Sequence, residues 1–175
     1  MTNLETAYFA AGQYFKPQFL FDQLHGVVST EVGFMSSDTD DEFDMRDIER
    51  GRTSFVHTVK IEFDAEEIDF RTLLDFFWQT ISLEKPDNLQ KLYTTALFCT
   101  TDLQHALARL SKLEHQQQFQ TIIPTLLANA HTFYPAAADQ QKYYASTGLL
   151  GALTEEEERA SRRRIKGLDM YDPAK

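Results

Sequence analysis

The sequence has 175 residues, 42% of them hydrophobic and 13% aromatic, and this composition is typical of one compact globular domain. Its 17 basic and 27 acidic residues give a formal net charge of −10, which argues against general binding of DNA or RNA. The N-terminus has no basic, apolar leader and no run of about 18 apolar residues occurs, so we expect a cytoplasmic protein that is neither secreted nor inserted in a membrane.

The first predicted element is a short apolar strand, residues 7–11, which turns at Gly12 into a helix that ends at Gly26. A strand that turns at a glycine into a helix leaves the next side chain beside free backbone N–H groups, where an anion or a thiolate is stabilised. That residue is Gln13, whose amide is not an ionisable nucleophile. The sequence therefore predicts the scaffold of a reactive site without its reactant.

Two further strands are predicted at residues 27–34 and 55–63. The second alternates clearly, with His57 on the apolar face and Thr58 on the polar face. We interpret His57 as a hydrogen-bonded core histidine rather than a metal ligand, because no second His or Cys lies near it at ligand spacing. The acidic residues 36–47 predict a solvated loop with a short helix. A cation site is the alternative there, although the segment lacks the glycine and final bidentate Glu of a calcium loop.

Two helices are predicted in the second half of the chain. The first, residues 69–81, has Asp69 as a plausible N-cap and a broad apolar stripe, with Trp78 packed in the core. The second is capped by Asp102 and fades at residues 116–118. Its apolar residues recur at helical spacing and predict an amphipathic helix laid against the sheet: Leu103, Ala106, Leu107, Leu110 and Leu113.

Two strands flank the second helix in the sequence. Residues 94–99 end with Cys99, the only cysteine, so an internal disulfide and a redox cycle between two cysteines of this chain are excluded. Residues 119–127 predict a further strand, which Pro124 interrupts, so that it is expected to be an edge strand or a strand end. A loop opens at Phe133-Tyr134-Pro135 and leads to Tyr143-Tyr144.

The order of elements, β-α-β-β-α-β-α-β, predicts an α+β fold, a two-layer sandwich in which helices pack on a sheet. We divide the chain into one domain, residues 1–150, and a charged helical tail, residues 151–175, in which Glu155 pairs with Arg159 and Glu158 with Arg162. Binding of nucleic acid by residues 162–166 is the alternative for the tail, but the acidic residues 155–158 offset their charge.

Seven short motifs, in order, resemble those of the A-type peptide methionine sulfoxide reductases. The first, Gly12-x-Tyr14-Phe15 followed by Phe21, Leu24 and Gly26-Val27, is similar to a signature that begins Gly-Cys-Phe-Trp-Gly-x-Glu. The others are Val32-Gly33-Phe34, Gly51-Arg52-Thr53, residues 59–64, residues 73–78, residues 93–98, and Phe133-Tyr134-Pro135-Ala136 with Tyr143-Tyr144. The resemblance covers residues 5–146 and implies a ferredoxin-like mixed sheet with helices packed on it.

The resemblance also implies a mechanism without a cofactor or metal. A cysteine thiolate attacks the sulfoxide sulfur, a carboxylic acid and phenols bind and protonate the oxygen, and an aromatic wall holds the methyl group. Here the nucleophile position is Gln13, the acid position is Gln18, and one tyrosine position is Phe34. Ser54-Phe55-Val56-His57 stands in place of the family's Gly-His-Ala-Glu, and Asn88 in place of a further carboxylate.

The sequence retains Tyr93 and the aromatic wall of Tyr14 and Phe15 but lacks the family's nucleophile and acid. Two functions are compatible with this combination. In the first, the chain has lost sulfoxide reduction. Its neutral pocket of Tyr14, Phe15, Phe34 and Tyr93 binds a methionine- or methionine sulfoxide-containing peptide or a small neutral ligand, or these residues merely fill the former site. In the second, the chain is an enzyme that uses Cys99 or catalyses another reaction in the same cleft. Protein interaction through the acidic residues 38–47 is a third possibility.

Overall fold

The computed structural model describes residues 2–81 and 91–147, and a six-stranded sheet forms its centre. The strands are β1 (Leu4–Ala10), β2 (Val27–Ser36), β3 (Phe55–Asp64), β4 (Ala96–Cys99), β5 (Leu126–Asn129) and β6 (Tyr134–Pro135). The helices are α1 (Phe15–Asp22), α2 (Met45–Glu49), α3 (Phe70–Thr80), α4 (Asp102–Phe119) and α5 (Tyr143–Thr147), with 3-10 turns at Lys91–Tyr93 and Ala138–Gln140.

The sheet has the order β5-β4-β1-β3-β2-β6, and its pairs are antiparallel except for the parallel pair β4–β5. This mixed sheet confirms the predicted α+β class. The main core lies on one face, where Phe9 of β1 packs on Phe21 of α1 and Phe77 of α3, with ring centroids 5.7 Å and 5.3 Å away. The helices therefore cover this face and place their N-termini at the ends of the strands.

The other face of the sheet is also partly covered, which the alternation in β3 did not predict. Val56 and Thr58 are both buried on the face that the sequence assigned to solvent. The chain before β6 crosses this face, and Phe133 lies against Tyr8 at 5.6 Å and against the backbone of Gly33. A Cβ at residue 33 would come within 2.6 Å of the Phe133 ring, so only glycine permits this approach.

Several predicted boundaries in the second half were wrong. The run of glutamines continues α4 through Phe119, because glutamine is a good helix former, and β5 begins only after Pro124. The N-cap of α4 is Thr101, whose hydroxyl accepts a hydrogen bond from the Gln104 N–H at 3.1 Å, rather than Asp102. The predicted position of β5 at a sheet edge is confirmed.

The predicted loop at Phe133-Tyr134-Pro135 contains a strand, β6, which pairs with β2. The amide of Gln141 explains this pairing, because it bonds both the N–H and the C=O of Val32 at 2.8 Å and so fixes the chain along β2. The turn at Pro86, the aligned Asn88 and the tail of residues 151–175 lie outside the described residues. Within the described part of the chain, no helix combines the length and apolarity that a membrane crossing requires.

Helix α4 differs most from its prediction. Its buried side chains are Gln104, Ala108 and Ser111, whereas Leu103, Leu110 and Leu113 are 68%, 46% and 52% exposed. The predicted direction of its apolar stripe is therefore wrong for these three leucines, which point away from the sheet, whereas Leu107 is partly buried and packs against the core.

Hydrogen bonds on the inner face explain this rotation of α4. The indole N–H of Trp78 donates to the Ser111 hydroxyl at 2.7 Å, and the Gln104 amide donates to the Thr6 carbonyl at 3.0 Å while accepting from the Thr100 N–H at 3.0 Å. Turning the leucines inward would take these partners away from the Trp78 indole N–H, the Thr6 carbonyl and the Thr100 N–H, and each buried polar group left unpaired costs about 1–3 kcal/mol.

Candidate functional site

The candidate site is built on the turn between β1 and α1. Strand β1 ends at Ala10, and Gly12 adopts φ +89°, a left-handed conformation that reverses the chain toward the helix. Gln13 is exposed at this turn, and Tyr14 is the N-cap residue of α1 but provides no side-chain cap. The position beside the free N–H groups of the helix is thus occupied by an uncharged amide.

Four rings from four different elements meet beside this turn. Tyr14 stacks on His57 of β3 with ring centroids 3.9 Å apart and an interplanar angle of 17°. Phe34 of β2 and Tyr93 of the 3-10 turn approach His57 edge-on, at 5.4 Å and 5.0 Å. The structure therefore brings Tyr14, Phe34 and Tyr93 together and places His57 at their centre.

His57 is 8% exposed, and burial lowers its pKa to about 4. At neutral pH the ring is uncharged, and its Nδ1 accepts a hydrogen bond from the Tyr14 N–H at 3.4 Å. Because Nδ1 is an acceptor, the proton of the neutral ring resides on Nε2, which is a hydrogen-bond donor. Within residues 2–81 and 91–147, no group of three or more His, Cys, Asp or Glu could hold a metal ion.

The sequence predicted a hydrogen-bonded core histidine at residue 57 rather than the centre of the site, although a signal for the site was present. His57 is the fourth residue of the segment aligned with Gly-His-Ala-Glu, so it stands where that motif has a carboxylate. Tyr14 is also uncharged at neutral pH: burial, with smaller contributions from Tyr93 and Asp139, raises its pKa to about 12. The cluster consequently contains hydrogen-bond donors and apolar ring faces, but no charge.

Phe15 joins the cluster at its edge. Its ring meets Tyr14 edge-on at 5.0 Å and stacks on Tyr143 of α5 at 4.3 Å. Tyr14, Phe34 and His57 are buried, whereas Phe15 and Tyr93 are only partly buried and Gln13 is exposed. The first three form a floor, and the last three form an accessible rim.

Gln18 belongs to a second set of contacts, made by hydrogen bonds. It is fully buried, and its amide donates to the Thr30 carbonyl at 3.4 Å and accepts from the Lys142 N–H at 2.8 Å. Lys142 also bonds Asp22 and Thr30 through its ammonium group, each at 2.7 Å. Both ends of the Gln18 amide therefore tie α1 to β2 and to the chain before α5.

Cys99 is remote from the turn. Strands β1 and β4 are antiparallel with Ala10 opposite Ala96 and Tyr8 opposite Phe98, so Cys99 lies toward the N-terminal end of β1 while Gln13 follows its C-terminal end. The thiol is 4% exposed, and burial raises its pKa to about 11. It is therefore almost entirely protonated at neutral pH and shielded from solvent, which are the properties of an unreactive thiol.

The acidic segment before β3 is bonded within itself. The Asp41 carboxylate accepts from the Ser36 hydroxyl at 2.7 Å and from the Ser54 N–H at 2.6 Å, and Asp38 accepts from the Asp40 N–H at 2.9 Å. Asp44 caps the predicted short helix, α2. These carboxylates stabilise the segment rather than converge on a cation.

The fold is a mixed sheet covered by helices, and its candidate site is an uncharged aromatic cluster at a strand-to-helix turn. Known protein families can be compared with the chain on these two features. The sequence model of the family described as "Peptide methionine sulfoxide reductase" matches residues 5–166. The peptide methionine sulfoxide reductase MsrA of Methanoculleus marisnigri is 33% identical over 153 residues, covering 83% of this chain and 92% of that protein. The chain therefore belongs to the peptide methionine sulfoxide reductase family, as its motifs predicted.

Solved structures share this fold. Reduced Mxr1 from Saccharomyces cerevisiae has a TM-score of 0.70 at 20% identity, covering 83% of this chain and 86% of that chain. Methionine sulfoxide reductase A of Corynebacterium diphtheriae has a TM-score of 0.67 at 21% identity, covering 85% and 77%. The predicted fold is thus confirmed both by its own sheet and by these neighbours.

Proposed function

We propose that this chain is a member of the family that does not reduce sulfoxides by thiol chemistry, and that its aromatic site binds a methionine or methionine sulfoxide side chain on a peptide. The observation that carries the proposal is the position of Gln13. This amide occupies the turn beside the ring cluster, while the only thiol of the chain, Cys99, is buried beside the middle of β1.

The absence of chemistry follows from the residues at the turn. Sulfoxide reduction by a thiol needs a thiolate within bonding distance of the sulfur, and loss of a catalytic nucleophile typically removes several orders of magnitude of rate. Gln13 cannot form the sulfur–sulfur or sulfur–oxygen species that such a reaction requires. His57, with its pKa near 4, is a poor proton donor at neutral pH, although it remains a hydrogen-bond donor.

Binding is supported by the chemistry of the floor and rim. Aromatic faces favour a methyl group and a polarisable sulfur, and the Nε2–H of His57 and the phenol of Tyr93 can donate to an oxygen. Methionine sulfoxide carries an oxygen that can accept from these neutral donors and methionine does not, so the sulfoxide is the better ligand of the two. The burial of Tyr14, Phe34 and His57 favours a second candidate, in which these side chains fill the former site and bind nothing.

The test begins with a peptide that carries methionine-S-sulfoxide and excess dithiothreitol, with the methionine formed measured by mass spectrometry. We expect no turnover by the natural chain and none by Cys99→Ser. Turnover that Cys99→Ser abolishes would instead establish Cys99 as a nucleophile and overturn the proposal.

Binding is measured separately, by titrating N-acetyl-methionine-S-sulfoxide amide into the labelled protein and following its amide NMR spectrum. We expect shifts at Gln13, Phe15 and Tyr93 that weaken when the Tyr93 hydroxyl is removed by Tyr93→Phe. The matched control is Tyr8→Phe, which removes a phenol on the other face of the sheet. No shift at the rim would leave the filled site as the correct description.

A further inference from the structure

The chain before α5 is held by two consecutive residues that bond to parts of the chain far away in sequence. The amide of Gln141 bonds the N–H and the C=O of Val32 on β2, each at 2.8 Å. The N–H of Lys142 donates to Oε1 of Gln18 on α1 at 2.8 Å, and its ammonium group lies 2.7 Å from both carboxylate oxygens of Asp22. We call Gln141 and Lys142 the clamp, because they join this segment to both α1 and β2.

The backbone of Lys142 is left-handed, with φ at 51°. A residue with a Cβ rarely adopts this conformation unless its surroundings hold it there. The surroundings here are the Gln18 amide, the Asp22 carboxylate and the Thr30 hydroxyl, which bond Lys142 at 2.7–2.8 Å. The clamp therefore fixes the direction in which the chain enters α5.

Helix α5 depends on the clamp for its position. It has five residues, too few for a helix that is stable by itself, and none of its side chains from Tyr143 to Ser146 is buried. Tyr143 directly follows the clamp and stacks on Phe15, with ring centroids 4.3 Å apart and an interplanar angle of 23°. Because Phe15 belongs to the accessible rim of the site, the clamp determines where a second ring covers that rim.

We propose that Gln18 is a positioning residue of the binding site, which through the clamp holds Tyr143 on Phe15 and keeps the rim in one shape. This inference rests on the proposed binding function. The amide suits the role at both ends, since Oε1 accepts from the Lys142 N–H at 2.8 Å and Nε2 donates to the Thr30 C=O at 3.4 Å. An ionised carboxylate could accept from the N–H but could not donate to the C=O. The clamp therefore favours a neutral amide at residue 18.

The first experiment measures the ring contact itself, without ligand. Gln18→Met keeps the length of the side chain and removes both bonds. The matched control is Gln23→Met, because the Gln23 amide bonds the Phe19 carbonyl at the end of α1 and does not reach the clamp. In the labelled full chain, we expect the nuclear Overhauser effects between the Phe15 and Tyr143 rings to disappear in Gln18→Met and to persist in Gln23→Met. Circular dichroism establishes that each variant is folded, and a contact that persists in folded Gln18→Met would overturn the inference.

The second experiment measures how tightly the same variants bind N-acetyl-methionine-S-sulfoxide amide. We expect the dissociation constant to rise about two- to tenfold in Gln18→Met, which corresponds to the loss of one aromatic contact, and to stay unchanged in Gln23→Met. Unchanged binding by Gln18→Met despite a lost ring contact would overturn the inference. No binding by the natural chain would overturn the proposed function, and the ring contact would then decide alone whether Gln18 positions Tyr143.

A second variant, Asp22→Ala, disturbs the clamp from solvent and tests the inference even if Gln18→Met fails to fold. Its side chain is 25% exposed, and its loss removes the carboxylate from the Lys142 ammonium group while the Gln18 bonds remain. We expect the same two changes, each smaller than in Gln18→Met. The control is Glu67→Ala, which removes an exposed carboxylate from His25 and should change neither. A ring contact and a dissociation constant that both stay unchanged in Asp22→Ala would overturn the inference.

Discussion

Helices α3 and α4 pack side by side, yet they follow opposite rules. In α3 the side chains Leu73, Leu74 and Phe77 are fully buried against the sheet. In α4 three of the four leucines are exposed, and two of the buried side chains, Gln104 and Ser111, are polar. Both sequences show an apolar stripe at helical spacing. Spacing therefore locates an apolar stripe on a helix, whereas hydrogen bonds to neighbouring elements determine which side of the helix faces the sheet.

The largest expected effect compares one leucine from each helix. Leu73→Ala removes a fully buried side chain and should lower the free energy of unfolding by about 3–4 kcal/mol through lost transfer energy and a cavity. Leu110→Ala, 46% exposed, should change it by less than about 0.5 kcal/mol. Urea unfolding followed by Trp78 fluorescence measures both. Equal losses would mean that α4 is rotated with its leucines inward.

The next largest effect is the pH dependence that His57 gives to folding, since His57 is a buried polar group that titrates, whereas the buried polar side chains of α4, Gln104 and Ser111, do not. The pKa of His57 falls from 6.5 to about 4 on folding, so the folded state binds its proton less tightly than the unfolded chain. The free energy of unfolding therefore has its full value above pH 6.5 and decreases as the pH falls through 4, by about 3 kcal/mol in total from this residue.

The measurement for His57 is the free energy of unfolding as a function of pH. His57→Gln should remove most of the loss between pH 6.5 and 4, whereas His25→Gln, at a side chain that is 70% exposed, should preserve it. A natural chain with a flat profile in this window would contradict the burial of His57.

A smaller effect is expected from the inner face of α4. Ser111→Ala removes the acceptor of the Trp78 indole N–H and should cost about 1–3 kcal/mol, because a buried donor loses its partner. Ser146→Ala removes an exposed hydroxyl and serves as the matched control. If Ser111→Ala were neutral, the rotation of α4 would need another cause.

The smallest effects separate the two N-caps. Asp69→Ala should destabilise by about 1 kcal/mol, since its carboxylate accepts from the Thr72 N–H at 2.7 Å. Thr101→Ala should cost a similar amount, whereas Asp102→Ala should cost only about 0.3–1 kcal/mol through the helix dipole. Thermal unfolding of the three variants ranks them. A larger loss for Asp102→Ala than for Thr101→Ala would assign the cap to Asp102.

Local chemistry explains what the sequence predicted correctly. The strand at β3, the cap at Asp69 and the glycine turn at Gly12 each depend on residues close together in the chain, and each agrees with the structure, although the alternation in β3 did not predict that both of its faces are covered. The predicted gathering of Tyr14 and Tyr93 depended on motif order, and their rings flank His57. The errors at β5 and β6 arose where a contact distant in sequence, such as Gln141 with Val32, selects the conformation.

Periodicity, motif order and residue identity are local properties of a sequence, so the fold class, the family and the absence of a thiol at the strand-to-helix turn could all be predicted before the structure was known. Tertiary structure alone decided three other features: the central place of His57, the burial of Cys99 away from the turn, and the outward stripe of α4. Each depends on which surfaces meet when the helices pack on the sheet. Packing and hydrogen-bond satisfaction are properties of the whole chain, and no short stretch of sequence specifies them.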